Sequence, residues 1–202
     1  VTGEQRQALG IEGSQRAKRW LESTCRAEVK WNNPTIGVHK LQYQKAGAAS
    51  DSQATGDFFS FDLGGNMLGG EIDGENFLAE CKKHSNANDQ GVAYRRFVAQ
   101  CYLVECGHPQ WVDHFLWITW APFSVTTWSS LLTPEYVKQS VEYDAQTKYT
   151  ALGQNPYDDA IGEAVAQKLL IVVLADGQEV ALSLHGDELV RVRQALLEHR
   201  SV

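Results

Sequence analysis

Phe77-Leu78-Ala79-Glu80-Cys81-Lys82-Lys83 is the stretch on which the reading of this chain turns. Phe77, Ala79 and Cys81 alternate with Leu78, Glu80 and Lys82, which predicts a strand carrying an acid and a lysine side by side on one face. Upstream, Asp57-Phe58-Phe59-Ser60-Phe61-Asp62-Leu63 has the same period of two, with Phe59, Phe61 and Leu63 on one face and Ser60 and Asp62 on the other. A glycine-rich section with Gly64, Gly65, Gly69, Gly70 and Gly74 joins the two strands. Antiparallel partners have indices of constant sum, so a hairpin centred on Glu71 sets Asp62 opposite Glu80. The same pairing gives Phe59, Phe61 and Leu63 one core-facing side in common with Ala79 and Cys81. Asp73 is the competing acid. With a tight turn at Gly74-Glu75-Asn76 it would face Phe77, about 10 Å along the strand from Glu80, unless a bulge draws it closer.

Working outward, residues 4–24 read as a helix with Ala8, Ile11, Ala17, Trp20 and Leu21 as a partial apolar stripe, which Gly10 and Gly13 could divide in two. Trp31-Asn32-Asn33-Pro34 is turn chemistry, and residues 44–56 form a polar loop. A polar loop over 84–90 leads into a helix over 91–106, followed by the apolar strand His114-Phe115-Leu116-Trp117-Ile118-Thr119-Trp120. That order describes an α/β sandwich, a mixed β-sheet flanked by helices. Beyond it, Thr133-Pro134-Glu135 opens a short helix. Leu169–Leu174 is a buried strand, Asp176-Gly177 turns it back into Val180–Leu184, and residues 187–199 close the chain as a helix. The expectation is one domain over 1–202, with its core at 5–122 and a C-terminal elaboration, a β-hairpin and helix, within 123–202.

The chain has 202 residues, and no apolar run approaches the roughly 20 residues that a membrane span needs. Its N-terminal section is polar and its four cysteines are sparse, so reduced thiols and a cytoplasmic location are expected. The net charge is −7, but unevenly spread. Residues 1–50 hold eight Lys/Arg against four Asp/Glu, residues 51–100 four against eight, and the remainder six against thirteen. A basic section beside a carboxylate-rich one suits a phosphate-gripping surface near a metal, although a solvated basic helix face has the same composition. The acidic C-terminal section points to protein contact, as a homodimer or within a larger assembly. The chain contains no Walker loop, dinucleotide fingerprint, nucleophile elbow or H-E-x-x-H.

Asp62 followed by Glu80-Cys81-Lys82 resembles the signature of the PD-(D/E)XK nucleases, in which an acid precedes a (D/E)-x-K strand, and the order of elements over residues 5–122 is similar too. The resemblance implies a restriction-endonuclease-like core and metal-dependent hydrolysis of phosphodiester bonds, most readily in DNA, in restriction, defence or repair. It implies Asp62, Glu80 and Lys82 as the catalytic set. Mg²⁺, with Mn²⁺ as a substitute, would be held by Asp62 (or Asp73), Glu80 and the backbone carbonyl of Cys81, and Lys82 would position water and stabilise the transition state. Many members carry an acid on the first helix, for which Glu12 is the match here, although Gly13-Ser14 departs from the commoner pattern. Gln90-Gly-Val-Ala-Tyr94 resembles a Q-x-x-x-Y element of exonuclease-like branches, with Arg95 and Arg96 following as candidate backbone contacts.

Plainer readings stand beside these. Glu80 and Lys82 could be an ion pair on a solvated strand face, worth under ~1 kcal/mol. Gln90 and Tyr94 could cap or pack their helix, and Trp117, Trp120 and Trp128 suit a core or a subunit interface. Cys101, Cys106, His108 and His114 have poor spacing for zinc. A catalytically silent module that binds nucleic acid or a partner protein, and an α/β interaction domain, are the alternatives to an enzyme.

Overall fold

The computed structural model describes residues 3–83 and 90–200, with side chains over 10–83 and 90–199. The expected loop at 84–90, apart from Gln90, and the side chain of Ala8 lie outside the described residues. The chain runs α1 (Gly3–Ser23), β1 (Ala27–Asn32), β2 (Gln42–Gln44), β3 (Phe58–Ser60), β4 (Leu63–Met67), β5 (Asn76–Lys82), α2 (Gln90–Gly107) and β6 (His114–Thr119). It continues with α3 (Pro134–Val141), α4 (Ala145–Ala151), α5 (Asp159–Lys168), β7 (Leu169–Val173), α6 (Gln178–Leu182) and α7 (Gly186–Arg200). Five strands form one mixed sheet in the order β1-β4-β5-β6-β7, antiparallel across β1, β4 and β5 and parallel across β5, β6 and β7. β2 and β3 form a separate two-stranded sheet. Among the described residues no helix is long and apolar enough to cross a membrane.

The sheet is covered on both faces, so it has two cores. On one side Ala17 and Leu21 of α1 pack on Val29, Leu63, Ala79, Cys81, Leu116 and Ile118. On the other, α2 with α3 to α5 packs Tyr94, Phe97, Tyr102, Val137 and Val165 on Leu78, Phe115 and Trp117. The expected common face for Phe59, Phe61, Leu63, Ala79 and Cys81 is therefore corrected. Phe59 and Phe61 belong to the α2-side core, whereas Leu63, Ala79 and Cys81 belong to the α1-side core. The chain changes sheets at Phe61-Asp62, between β3 and β4, and the alternation restarts there. α1 is undivided despite its glycines. Gly13 is where the helix meets the sheet, since a Cβ there would lie 3.2 Å from the Cβ of Lys83.

The hairpin register is the expected one: Leu63 pairs with Ala79, Gly64 with Leu78 and Gly65 with Phe77. Gly64 and Gly65, however, are strand rather than loop. β1 bulges between Val29 and Trp31, which moves Val29 to the α1-side core and Trp31 to the other. The bulge brings the β1 backbone so close that a Cβ on Gly65 would sit 1.9 Å from the Glu28 carbonyl oxygen. Backbone cannot yield as a side chain does. Gly65→Ala is expected to cost about 2–4 kcal/mol in chemical denaturation, and an unchanged midpoint would contradict this account of the bulge.

The expected C-terminal β-hairpin is replaced. β7 forms as read, but Gln178–Leu182 is the helix α6, entered through Gly177 at φ 81°. Glu179 of α6 is buried and ion-paired with Arg16 of α1, which also bonds Asp176 at 2.6 Å. This long-range pair fastens 178–182 to α1 and leaves β7 as a sheet edge. The helix at 134–141 begins as expected, with the Thr133 hydroxyl accepting from the Tyr136 N–H at 3.3 Å.

Candidate active site

Lys82 ends β5, at the carboxyl end of the parallel part of the sheet, where α/β sheets leave a crevice. Glu80 is in register with Trp117 and Lys82 with Thr119. Their neighbours Ala79, Cys81, Leu116 and Ile118 face α1, so Glu80, Lys82, Trp117 and Thr119 face the α2 side.

Asp62 arrives from the other strand of the hairpin. Its N–H donates to the Ala79 carbonyl at 3.0 Å and its own carbonyl accepts from the Asn33 N–H at 2.9 Å, so Asp62 sits in a bend beside Ala79, just where the β4–β5 register ends. The expected pairing of Asp62 opposite Glu80 is therefore not formed as a strand pair; the ladder ends at Leu63 and Ala79. The Asp62 carboxylate then accepts the Cys81 N–H at 2.8 Å, which ties it to the middle of the E-x-K segment. Glu80 Oε1 is ion-paired with Lys82 Nζ, and the two side chains are 12% and 31% exposed. Its other oxygen, Oε2, is buried with no hydrogen-bond partner.

The electrostatics show how tightly the three groups are coupled. Burial pushes the Asp62 carboxyl up, the Glu80 charge pushes it further, and Lys82 with the Cys81 N–H offsets part of the rise, leaving a pKa of about 7. Burial opposes the charge on Lys82, but Glu80 and Asp62 outweigh it, so the ammonium is held above its ordinary value. Cys81 is buried among apolar neighbours, and burial with the two carboxylates drives its thiol well above the usual range, so it packs rather than reacts.

Thr119, which the sequence reading quoted without a role, supports the site. Its buried hydroxyl lies 2.8 Å from Gln90 Oε1 and 3.2 Å from the Lys82 carbonyl and can donate to either. The legible signal was one hydroxyl at the end of an otherwise apolar strand. Gln90 is fully buried, and its Nε2 has no partner. It belongs to this layer beneath Lys82 and not to a solvent-facing nucleic-acid contact.

Other candidates fall elsewhere. Asp73 lies beyond the far end of β5 and accepts the Gly69 N–H, so it shapes the hairpin loop. Four strand residues, about 13 Å, separate even Asn76 from Glu80. Glu12 stands on the α1 side, half exposed, paired with Lys83 and with Arg16 at 3.5 Å; the Lys83 hydrogen bond holds its carboxyl below the usual value. Tyr94 is buried and donates to the Leu131 carbonyl at 3.0 Å. Arg95 stacks over Tyr136 at 4.7 Å and Tyr143 at 5.0 Å. Both residues are committed to packing α3 and its continuation against α2. Arg96 is exposed, on the rim of a cleft with Lys45. Trp117 and Trp120 are buried, whereas Trp128 is 40% exposed.

Among the described residues no group of three or more His, Cys, Asp or Glu is gathered to hold a metal, which leaves the Cys101, Cys106, His108 and His114 set without a zinc geometry. No family model and no curated protein matches the chain. A solved structure similar to it is that of the Moraxella osloensis Cap4 SAVED/CARF-domain containing receptor, at 9% identity and a TM-score of 0.38 over 96% of this chain and 38% of that one. This chain thus spans well under half of that receptor's length.

Proposed function

We propose that this chain is a metal-dependent nuclease with a restriction-endonuclease-like core, acting on phosphodiester bonds in DNA through Asp62, Glu80 and Lys82. The observation that carries the proposal is the gathering of two carboxylates and a lysine at the end of β5, where Asp62 accepts the Cys81 N–H, Glu80 pairs with Lys82, and burial first and the Glu80 charge second raise the Asp62 carboxyl to about 7. Two acids crowded in this way repel one another, and a divalent cation between them relieves the repulsion.

The donor set fits Mg²⁺. That ion is held by one or two carboxylates and completed by water and substrate phosphate, so a cage of three or more acidic side chains is not required. Glu80 Oε2, buried without a hydrogen-bond partner, and the Asp62 carboxylate are the side-chain ligands, with the Cys81 carbonyl as a further one. When bound, Mg²⁺ supplies Lewis-acid polarisation of the phosphoryl oxygens and lowers the pKa of a water. Lys82 donates to the charge that develops on the phosphate and orients the attacking water. The Cys81 N–H fixes the rotamer of Asp62, and Thr119 with Gln90 fixes the backbone that carries Lys82. The acidic C-terminal part, through self-association or a defence or repair partner, would supply targeting.

The test is incubation of supercoiled plasmid and single-stranded DNA with Mg²⁺, Mn²⁺ or EDTA. Nicking or degradation with either metal and none with EDTA is expected. Absence of cutting, together with no calorimetric binding of Mn²⁺ at pH 8, would remove the enzyme reading. DNA binding without cutting would favour the silent module.

A further inference from the structure

A second cavity lies on the same sheet face as Glu80 and Lys82, towards the other end of β5. It has a volume of about 280 Å³, and its walls are Trp31, Tyr43 and Trp111, with Leu78 of β5 among its lining. Trp31 is a neighbour of Gly64 across the β1–β4 pairing, two residues along β4 from Asp62, and Leu78 stands two residues before Glu80. Each step is about 7 Å at strand rise, the length of two nucleotides in a stacked strand.

The aromatic walls are held in place before any ligand arrives. The Trp31 ring lies against Gly37, at φ 65°, where a Cβ would come within 2.4 Å of the indole. Trp111 is stacked by His108 at 5.0 Å with 26° between the planes, yet the residue is 57% exposed. Tyr43 is stacked on Phe59 at 5.7 Å. A large aromatic left in water but fixed by a stacked neighbour is costly unless something covers it, and it is already ordered for binding. Asn76 and Gln110 bring amide groups and Lys40 a positive charge to the same cavity. Indole and phenol faces, amides and one cation match the π-face, the edge and the phosphate of a nucleotide.

We infer that this cavity takes an unpaired nucleobase of a DNA strand, stacked against Trp111 and Trp31, with its phosphate towards Lys40. The inference rests on the nuclease reading only for the path of the strand from the cavity to Glu80. Base capture there sets which phosphate reaches the acids, so it favours single-stranded or frayed substrate over intact duplex.

The experiment is fluorescence anisotropy in EDTA, where nothing is cut. It compares a short single-stranded oligodeoxynucleotide with a strand of equal length that is abasic throughout. The base-bearing strand is expected to bind about tenfold more tightly, Trp111→Ala to lose most of that preference, and Trp111→Phe to keep the larger part. Trp111 is exposed, so its replacement leaves the fold intact, and a thermal melt verifies this. Equal affinity for the two strands, or a preference that Trp111→Ala does not change, would overturn the inference. A wild-type protein that prefers bases but does not cut with Mg²⁺ removes the nuclease reading and leaves the cavity. One that cuts without preferring bases does the reverse.

Discussion

If the proposed nuclease function holds, Lys82→Ala is expected to lower metal-dependent DNA cleavage by about 10²–10³-fold while the protein stays folded, because a fixed positive group beside a scissile phosphate contributes that much to the transition state. Lys82 is the last residue of β5, partly exposed, and its backbone ladder to β6 does not depend on the side chain. The structural loss is one ion pair to a mostly buried carboxylate, about 3 kcal/mol, which is less than the stability of an ordinary domain and is read separately by the melts. The same substitution removes the charge that holds Asp62 down, so the Asp62 carboxyl should titrate above its wild-type value of about 7. Glu80→Gln should lose a comparable rate by removing a proposed metal ligand, and it should relieve Asp62 instead of burdening it. Initial rates of plasmid nicking, with thermal melts at pH 5 and pH 8, check both variants. If Lys82→Ala cuts at the wild-type rate, the site lies elsewhere in the chain.

Asp62→Asn should make the metal-free protein more stable at pH 8, by on the order of 4 kcal/mol, and leave its stability at pH 4 nearly unchanged. The sign follows from a folded-state pKa of about 7 against an ordinary carboxylate value of ~3.9 when unfolded. A raised carboxyl favours the fold while it is protonated. Its contribution is complete below about pH 4, falls as pH rises and is gone above about pH 7. Asparagine cannot ionise, and its side-chain oxygen can still accept the Cys81 N–H. Mg²⁺ should stabilise the wild-type protein at pH 8, where both acids are charged, and stabilise Asp62→Asn far less. Urea denaturation across pH with EDTA or Mg²⁺ measures all of this. A variant no more stable than the wild type at pH 8 would show that Asp62 ionises in the folded protein without strain.

Where sequence reading succeeded, the determinants were local or arithmetical. Period-two alternation found β5, the apolar runs found β6 and β7, and Thr133-Pro134 found the start of α3. The constant-sum rule gave the β4–β5 register from Leu63 to Asn66, and Asp62 leaves that register to bond Ala79 and Cys81. β1 was as legible as these, because Ala27, Val29 and Trp31 alternate with Glu28, Lys30 and Asn32, but the turn chemistry at its end drew the reading away.

What sequence reading missed depends on which surface meets which. Alternation cannot say which face of a sheet is core when both are covered, so the change of side at Asp62 and the bulge that moves Trp31 across the sheet were invisible. Asp-Gly marks a turn before a strand or a helix alike, and the Arg16–Glu179 pair, made between residues far apart in the chain, decided for α6. For the site, the chain by itself determined the acid and lysine pair on one face of β5, because strand geometry makes those neighbours a matter of counting. Only the tertiary structure decided that Thr119 and Gln90 stand beneath Lys82, that Glu12 belongs to Lys83, and that three distant aromatics wall one cavity, because those contacts join elements whose separation no local period records.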